Sequence, residues 1–237
     1  MNNFLTITFI FATGGICGWI LEVFYRRFVS QKRWVNPGFL VGPCLPLYGE
    51  SLCILYFFAG LEDNIDTEKI WLKKLILFIV MAIAITALEF IVGSVTIKYT
   101  NIRLWDYTEC FGNIKGIICP LYSFFWLILS ALYYFLIHPH ILDALEWLSR
   151  NLAFSFGIGF FYGIFVIDLC YSAQIIVKIR KYAHEKQIVI RLERLREEIN
   201  YNLDKHKPRF LLSFKTELPL NELLEKYAEK LKSELKH

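Results

Sequence analysis

Long runs of apolar residues alternate with short polar segments along most of the chain. A run of about 20 apolar residues is long enough to cross a hydrocarbon core of about 30 Å as a helix. Five such runs can be drawn, at about 4–25, 39–61, 75–97, 114–137 and 152–177. From Lys178 onward the chain changes to Lys, Arg and Glu with scattered Leu and Ile, which predicts a helical tail in water. We therefore expect an all-α, polytopic membrane protein with a transmembrane domain over residues 1–177 and a tail over residues 178–237.

The composition agrees with this pattern. Of the 237 residues, 56% are hydrophobic and 17% are aromatic, which is too apolar for an ordinary soluble domain of this size. The net charge of +4 says little about partners, because the basic residues are concentrated in the loops and the tail. We expect the lipid bilayer as a partner and no nucleic acid.

Basic residues also indicate the orientation. Loops 26–38 and 98–115 and the tail together carry more Lys and Arg than the opposite side. The positive-inside rule then places the N-terminus outside and the C-terminal tail in the cytoplasm of a cell-membrane protein. A second segment that enters the membrane and turns back would change the number of crossings, but five full spans are the favoured interpretation.

Three of the apolar runs each contain one acidic residue near the end of the run: Glu22, Glu89 and Asp168. A charged side chain in hydrocarbon costs about 3 kcal/mol on insertion scales. Since no Lys or Arg lies inside the runs, we expect the acids to be protonated or to hold a cation. The alternative is that they hydrogen-bond to Tyr and backbone groups and fix the packing of helices.

Two stretches of the chain carry the same landmarks in the same order. The first contains Leu21-Glu22, Trp34, Asn36, Gly38 and Pro46-Leu47-Tyr48; the second contains Leu88-Glu89, Trp105, Asn113, Gly116 and Pro120-Leu121-Tyr122. Both enter the membrane, turn in the cytoplasm and return. This order predicts two parallel helix-loop-helix repeats, related by an axis along the membrane normal.

The fifth span is similar to the start of a third repeat. Glu22 and Asp168 each precede a tyrosine by three residues, Tyr25 and Tyr171. Residues three apart share a helix face, so each phenol is expected beside its carboxyl group. Three equivalent acids are therefore expected at similar depth in the inner half of the bilayer.

The second run is not expected to be one unbroken helix. Gly42, Pro43, Pro46 and Gly49 remove hydrogen bonds and loosen its backbone. Freed carbonyl and amide groups of this kind bind solutes in several transporter folds. The alternative is a kinked packing helix in which small residues let neighbouring helices approach.

Polar residues of the cytoplasmic loops complete the candidate site. Asp106 and Asn113 are expected to cap the fourth helix or to line an inner vestibule. The candidate pathway residues are Glu22, Glu89, Asp168, Tyr25, Tyr48, Asn36, Asn113 and Asp106. Glu50 is not included, and no metal ligands or cofactor site are expected.

The tail carries an apolar stripe formed by Ile188, Leu192, Leu195 and Ile199. Its heptad-like spacing favours dimerisation or a position on the membrane surface, with packing against the membrane domain as the alternative. A second amphipathic helix is predicted at about 220–235. The candidate partners are a second copy of the chain and a separate ATPase or other cytoplasmic protein bound through residues 178–237.

Several enzyme motifs are absent from the sequence. It contains no phosphate-binding GxxxxGK[ST] loop and no GxSxG, HExxH or kinase motif. An enzyme is therefore not expected.

Three motifs carry a family resemblance: GWILEVFYRR, VNPGFLVGPCLPLYG and WDYTECFGNIKGIIC. Over residues 10–130 the chain resembles the CmpB-type, ABC-transporter type IV family of bacterial membrane proteins. The resemblance implies an integral protein of the bacterial cell membrane that is named a permease, without a known solute. The favoured hypothesis is a permease or permease-like subunit with a carboxylate-lined pathway. The alternative is a non-transporting scaffold or regulatory protein that acts through its tail.

Overall fold

A computed structural model describes residues 2–196 and 220–234. Its helices are α1 (Asn3–Tyr25), α2 (Pro46–Ala59), α3 (Ile70–Thr100), α4 (Pro120–Leu132), α5 (His138–Arg150), α6 (Ser155–Lys186) and α7 (Leu220–Glu234). A π-helical turn at Arg26–Ser30 continues α1, and another at Tyr133–Ile137 joins α4 to α5. The predicted all-α class is confirmed, and α7 lies where the second tail helix was predicted.

Four helical runs are long and apolar enough to cross a membrane: Asn3–Ser30, Ile70–Thr100, Pro120–Arg150 and Leu152–Lys186. Large apolar side chains cover their outer surfaces, as expected for helices surrounded by lipid. On α6, for example, Phe156 is 79% exposed and Ile167 is 72% exposed.

The second predicted span is shorter than expected. Residues 39–45 are not helical, and α2 has 14 residues, which corresponds to about 21 Å. Pro46 occupies the first turn of α2, where a proline is tolerated, whereas Gly42 and Pro43 lie in the non-helical segment before it. Helix α2 still runs back along α1, since Tyr48 lies beside Gly18 and Cys53 lies beside Ile7.

The fourth predicted span also has different bounds. Residues 114–119 belong to a loop, and α4 begins at Pro120, again with the proline in its first turn. The helical run then continues beyond residue 137 to Arg150. The two helices that begin with Pro-Leu-Tyr therefore start at equivalent points of the two repeats.

The two loops and the tail lie at one end of the helix bundle, which we call the loop end. The first loop comprises residues 31–45 and the second loop residues 101–119. Strand β1 (Ile102–Arg103) of the second loop pairs in parallel with strand β2 (Ile190–Arg191) of the tail.

A second apolar core at the loop end holds the tail in place. Leu192 and Leu195 of the predicted stripe are buried together with Ile102, Ile179 and Leu224. In the described part of the chain, the stripe packs inside the molecule, so the expected dimerisation or membrane contact through these two leucines is not observed. Ile199 lies outside the described residues.

Candidate functional site

Glu22 and Glu89 occupy equivalent depths in the two repeats. Each lies the same number of residues after the first residue of its helix, Asn3 or Ile70, which corresponds to about 28 Å along the axis. If both helices start at one boundary of a hydrocarbon core of about 30 Å, both carboxyl groups lie near the other boundary. That boundary is the one at the loop end.

Glu22 has two hydrogen-bonding partners. The hydroxyl group of Tyr48 donates to Oε2 at 3.0 Å, and Nε of Arg26 donates to Oε1 at 3.0 Å. The expectation that this acid has no basic partner is therefore wrong. The π-helical turn after Tyr25 keeps the backbone helical, so Arg26 stays one turn from Glu22 and can reach its carboxylate.

Glu89 is more deeply buried, with 3% of its surface exposed. The hydroxyl group of Tyr107 donates to Oε1 at 3.0 Å, and Nε1 of Trp126 donates to Oε2 at 3.2 Å. Both donors are neutral. The ion pairs among residues 2–196 and 220–234 do not include Glu89.

Aromatic side chains connect the two acids across the repeats. The rings of Tyr48 and Trp126, which bind Glu22 and Glu89, have centroids 5.6 Å apart. We define the polar centre as Glu22, Arg26, Tyr48, Glu89, Tyr107 and Trp126. Glu22 of the first repeat and Glu89 of the second repeat are therefore linked through the contact between the rings of Tyr48 and Trp126.

Tyr25 lies at the edge of this centre rather than on Glu22. It lies near Tyr122, whose ring is stacked on that of Tyr107 with the centroids 4.1 Å apart. The expected pairing of Tyr25 with Glu22 is not observed, because Arg26 and Tyr48 already occupy the oxygens of that carboxylate.

Asp168 belongs to a different site. Its Oδ1 accepts the N–H of Val41 at 3.1 Å and its Oδ2 accepts the N–H of Gly42 at 2.9 Å. The hydroxyl group of Ser172 donates to Oδ1 at 3.2 Å. Residues 39–45 are not helical, so their amides need acceptors from elsewhere.

The expected third tyrosine contact is also not observed. Tyr171 is 44% exposed, and among the described residues the hydrogen-bond partners of Asp168 are Val41, Gly42 and Ser172. Two acids therefore converge, and the third supports the first loop.

The two loop asparagines close their own loops. Asn36 is 1% exposed; its Oδ1 accepts Nε1–H of Trp19 at 2.6 Å, and its Nδ2 donates to the carbonyl oxygen of Val41 at 2.8 Å. Asn113 Nδ2 donates to the carbonyl oxygen of Cys110, and its Oδ1 accepts the N–H of Gly116, both at 2.9 Å. Equivalent landmarks of the repeats therefore have equivalent structural roles.

A family model described as "Putative ABC-transporter type IV" matches residues 9–173, which is more than half of the chain. The chain belongs to this family. The match extends from α1 into α6, confirms the resemblance seen in the sequence and leaves the tail outside. No curated protein and no solved structure matches the chain. The family match and the four long apolar helical runs together fit a multi-pass, transport-related membrane protein.

In this ABC-transporter type IV protein, Asp106 joins the second loop to the tail. Its carboxylate pairs with Nη1 of Arg103 at 3.0 Å and with Nε of Arg191 at 2.9 Å. Burial acts to raise the pKa of Asp106, but hydrogen bonds from Thr108 and the two guanidinium groups outweigh it and lower the pKa. The expected cap on the fourth helix is not observed for Asp106 or Asn113, since Cys119 is the capping residue.

Sequence reasoning missed two arginines of the ABC-transporter type IV protein. Arg26 pairs with Glu22 through Nε, and its Nη2 pairs with Glu193 of the tail at 2.5 Å. Arg196 is 4% exposed and donates to the carbonyl oxygen of Asn36 at 2.6 Å. The spacing between Glu22 and Arg26 is a readable signal, whereas nothing in the tail sequence indicates the contact of Arg196.

Proposed function

We propose that this protein is a permease-like transport subunit whose pathway passes the polar centre. The observation that supports the proposal most strongly is the meeting of Glu22 and Glu89 across the two repeats. Membrane transporters built from internal repeats commonly bind their solutes at the interface between the repeats. Asp168 is not part of the proposed pathway.

The chemistry of the centre favours a proton or a cationic group as the transported species. An ionised carboxylate has about four acceptor positions, and Glu89 receives one neutral hydrogen bond on each oxygen. Glu22 shares the charge of Arg26 with Glu193, so the centre does not contain enough positive charge for both acids. The polar centre as defined contains two carboxyl groups and one guanidinium group, so one further positive charge would balance it.

The test is ion flux in vesicles that contain the purified full-length protein. Uptake of H⁺, Na⁺ and K⁺ is followed with internal dyes under an imposed membrane potential. We expect flux of one of these ions with the wild-type protein and its loss in Glu89→Gln, because the amide cannot ionise. Glu50→Gln is the matched control, since Glu50 lies on α2 with its side chain exposed.

Two results would contradict the proposal. One is equal flux with the wild-type protein and Glu89→Gln. The other is the absence of H⁺, Na⁺ and K⁺ flux with a wild-type protein that has inserted and melts cooperatively.

The family name favours a separate ATPase as a partner of the proposed subunit. We place this partner at the loop end, with the N-terminus outside and the loop end in the cytoplasm of a cell-membrane protein. Co-purification of an ATPase with the full-length protein tests the assignment. We propose no enzymatic activity for the chain alone.

A scaffold or regulatory role is the second candidate. It is favoured by the observation that Asp168 binds backbone amides and thus has a structural task. In that case partners bind the exposed face of the tail, which includes Glu222, Glu225 and Glu229 of α7. Replacing these three residues by Lys should then abolish partner capture, whereas Glu89→Gln should leave it unchanged.

A further inference from the structure

A groove of about 520 Å³ lies between α3 and α4, away from the polar centre. It is lined by Ile79, Ala82, Ile83, Thr86, Ala87, Phe90, Ile118, Ser123, Phe124 and Leu127. Several of these side chains lie on the outer surface of the protein; Ile83 is 63% exposed and Phe124 is 55% exposed. The groove therefore opens toward the surrounding lipid.

The polar groups of the groove are already paired. The hydroxyl group of Thr86 donates to Oγ of Ser123 at 3.2 Å, and the hydroxyl group of Ser123 donates to the carbonyl oxygen of Cys119 at 3.2 Å. The remaining lining is aliphatic or aromatic. The groove thus offers an apolar surface, which suits a hydrocarbon chain better than a polar solute.

The length of the groove matches one lipid leaflet. From Ile79 to Phe90 the axis of α3 rises by about 16 Å. One leaflet contributes about half of a hydrocarbon core of about 30 Å. A lipid tail in the groove would therefore place its headgroup near Phe90.

Positive charge is present at this end of the groove and no acid lines it. Nζ of Lys115 lies 5.6 Å from the centroid of the Phe90 ring. Lys98 lies about two turns further along α3, where its Nζ is 5.5 Å from the centroid of the Tyr99 ring and not at Phe90. Both lysines are exposed, and the ten lining residues are all uncharged.

We propose that the groove is a binding site for an anionic phospholipid, with an acyl chain along α3 and the phosphate group at Lys115. Basic pockets between membrane helices bind anionic headgroups in this way. The site is separate from the proposed transport pathway, so either can fail without the other. Its occupant is a lipid and not a second copy of the chain.

The test measures which lipids remain bound to the full-length protein. The protein is purified from vesicles with equal amounts of phosphatidylglycerol and phosphatidylcholine, and bound lipids are counted by native mass spectrometry. We expect phosphatidylglycerol to be enriched on the wild-type protein. The variant Lys115→Gln should lose this enrichment by roughly fivefold.

Two further variants separate charge from shape. Ile83→Trp fills the apolar part of the groove and should reduce bound phosphatidylglycerol while Lys115 remains. Lys69→Gln/Lys73→Gln removes two charges from the opposite end of α3 and should behave as the wild-type protein. All variants are compared at equal melting temperature, which is expected because the replaced side chains lie mainly on the surface.

Four outcomes would overturn the proposal. The two lipids bind the wild-type protein equally, or Lys115→Gln keeps its enrichment, or Lys69→Gln/Lys73→Gln loses it to the same extent. The fourth is an efficient disulfide-linked dimer of Ile83→Cys in the membrane, because the groove would then be covered by a second copy.

Discussion

The three intramembrane acids differ in what they bind. Glu89 accepts hydrogen bonds from neutral aromatic donors, Glu22 shares an arginine with the tail, and Asp168 accepts two backbone amides. Buried amides without acceptors are costly, so the third acid has a structural reason to be present. An acidic residue in an apolar run is therefore not by itself a sign of a transport pathway.

Replacing Asp168 tests this structural role. In Asp168→Asn one acceptor oxygen becomes a donor, so either the N–H of Gly42 loses its partner or that of Val41 keeps only Oγ of Ser172, at a cost of about 1–3 kcal/mol. The first loop should then open more often. We expect faster alkylation of Cys44, which is 4% exposed, when the labelled sites are mapped by mass spectrometry.

Asp63→Asn is the matched control for this prediction. Asp63 is exposed, and its ion pair within residues 2–196 and 220–234 is with Lys73, at 3.5 Å. Unchanged Cys44 alkylation in Asp168→Asn would show that the hydrogen bonds to the first loop do not hold it closed.

At the scale of elements, glycines determine how closely α1 and α2 approach. A methyl group added at Gly18 would lie 2.3 Å from Cβ of Tyr48, and one at Gly14 would lie 2.7 Å from Cβ of Leu52. These distances are far below van der Waals contact. Gly18 also places Tyr48 within reach of Glu22, so the glycine supports the polar centre indirectly.

Gly18→Ala should separate the two helices. Overpacking of this kind costs about 1–3 kcal/mol, and the melting temperature of the purified protein should fall. Gly163→Ala on α6 is the control, since no atom lies within 4 Å of the added methyl group. Equal melting temperatures for the two variants would contradict the predicted close contact.

The sequence was sufficient to predict the helices but not all their bounds. Apolar runs predict membrane helices because length and hydrophobicity are local properties. The same runs do not distinguish a buried extended segment from a helix, so residues 39–45 and 114–119 were assigned to spans. In both repeats the proline of Pro-Leu-Tyr marks the actual start of the helix.

The candidate site was predictable only in part. The similar depth of Glu22 and Glu89 follows from the repeat, because the two residues occupy equivalent positions; their meeting through Tyr48 and Trp126 does not follow from it. The amide contacts of Asp168 depend on a loop that is distant in sequence, and no periodicity reports such a contact. The contact of Arg196 with Asn36 could not be predicted for the same reason.

At the scale of the whole molecule, the tail is attached to both loops. Arg191 pairs with Asp106 of the second loop, and Arg196 binds the carbonyl oxygen of Asn36 in the first loop. Burial, and then the charge of Arg26, lower the pKa of Arg196, while Glu193 raises it. The tail and the loops thus form one packed layer at the loop end.

The attachment of the tail should weaken in acid. The pKa of Asp106 is lower in the folded protein than its ordinary value of about 3.9, so its stabilising effect is fully present above that pH and is lost as the pH falls below it. Hydrogen-exchange protection of residues 190–196 should therefore stay constant from about pH 5 to 8 and drop below about pH 4. Protection factors corrected for intrinsic exchange rates provide the measurement.

Asp106→Asn isolates this carboxylate. Glu193 and its pairing with Arg26 remain in the variant, so the difference from the wild-type protein reports Asp106 alone. We expect weaker protection at neutral pH and a smaller drop in acid. Asp143→Asn on the exposed side of α5 should behave as the wild-type protein; an acid response that is the same in all three proteins would exclude Asp106 as its source.

The contact between Arg196 and Asn36 also fixes an order of events during synthesis. At about 5–20 residues per second, Arg196 is made roughly 8 to 30 s after Asn36. By then the membrane helices between the two residues have been made. Until then the carbonyl oxygen of Asn36 lacks its hydrogen bond from Arg196. The first loop of the chain is thus among the last parts to be finished, and until then the helices are held together by their own apolar core and by close contacts such as those at Gly14 and Gly18.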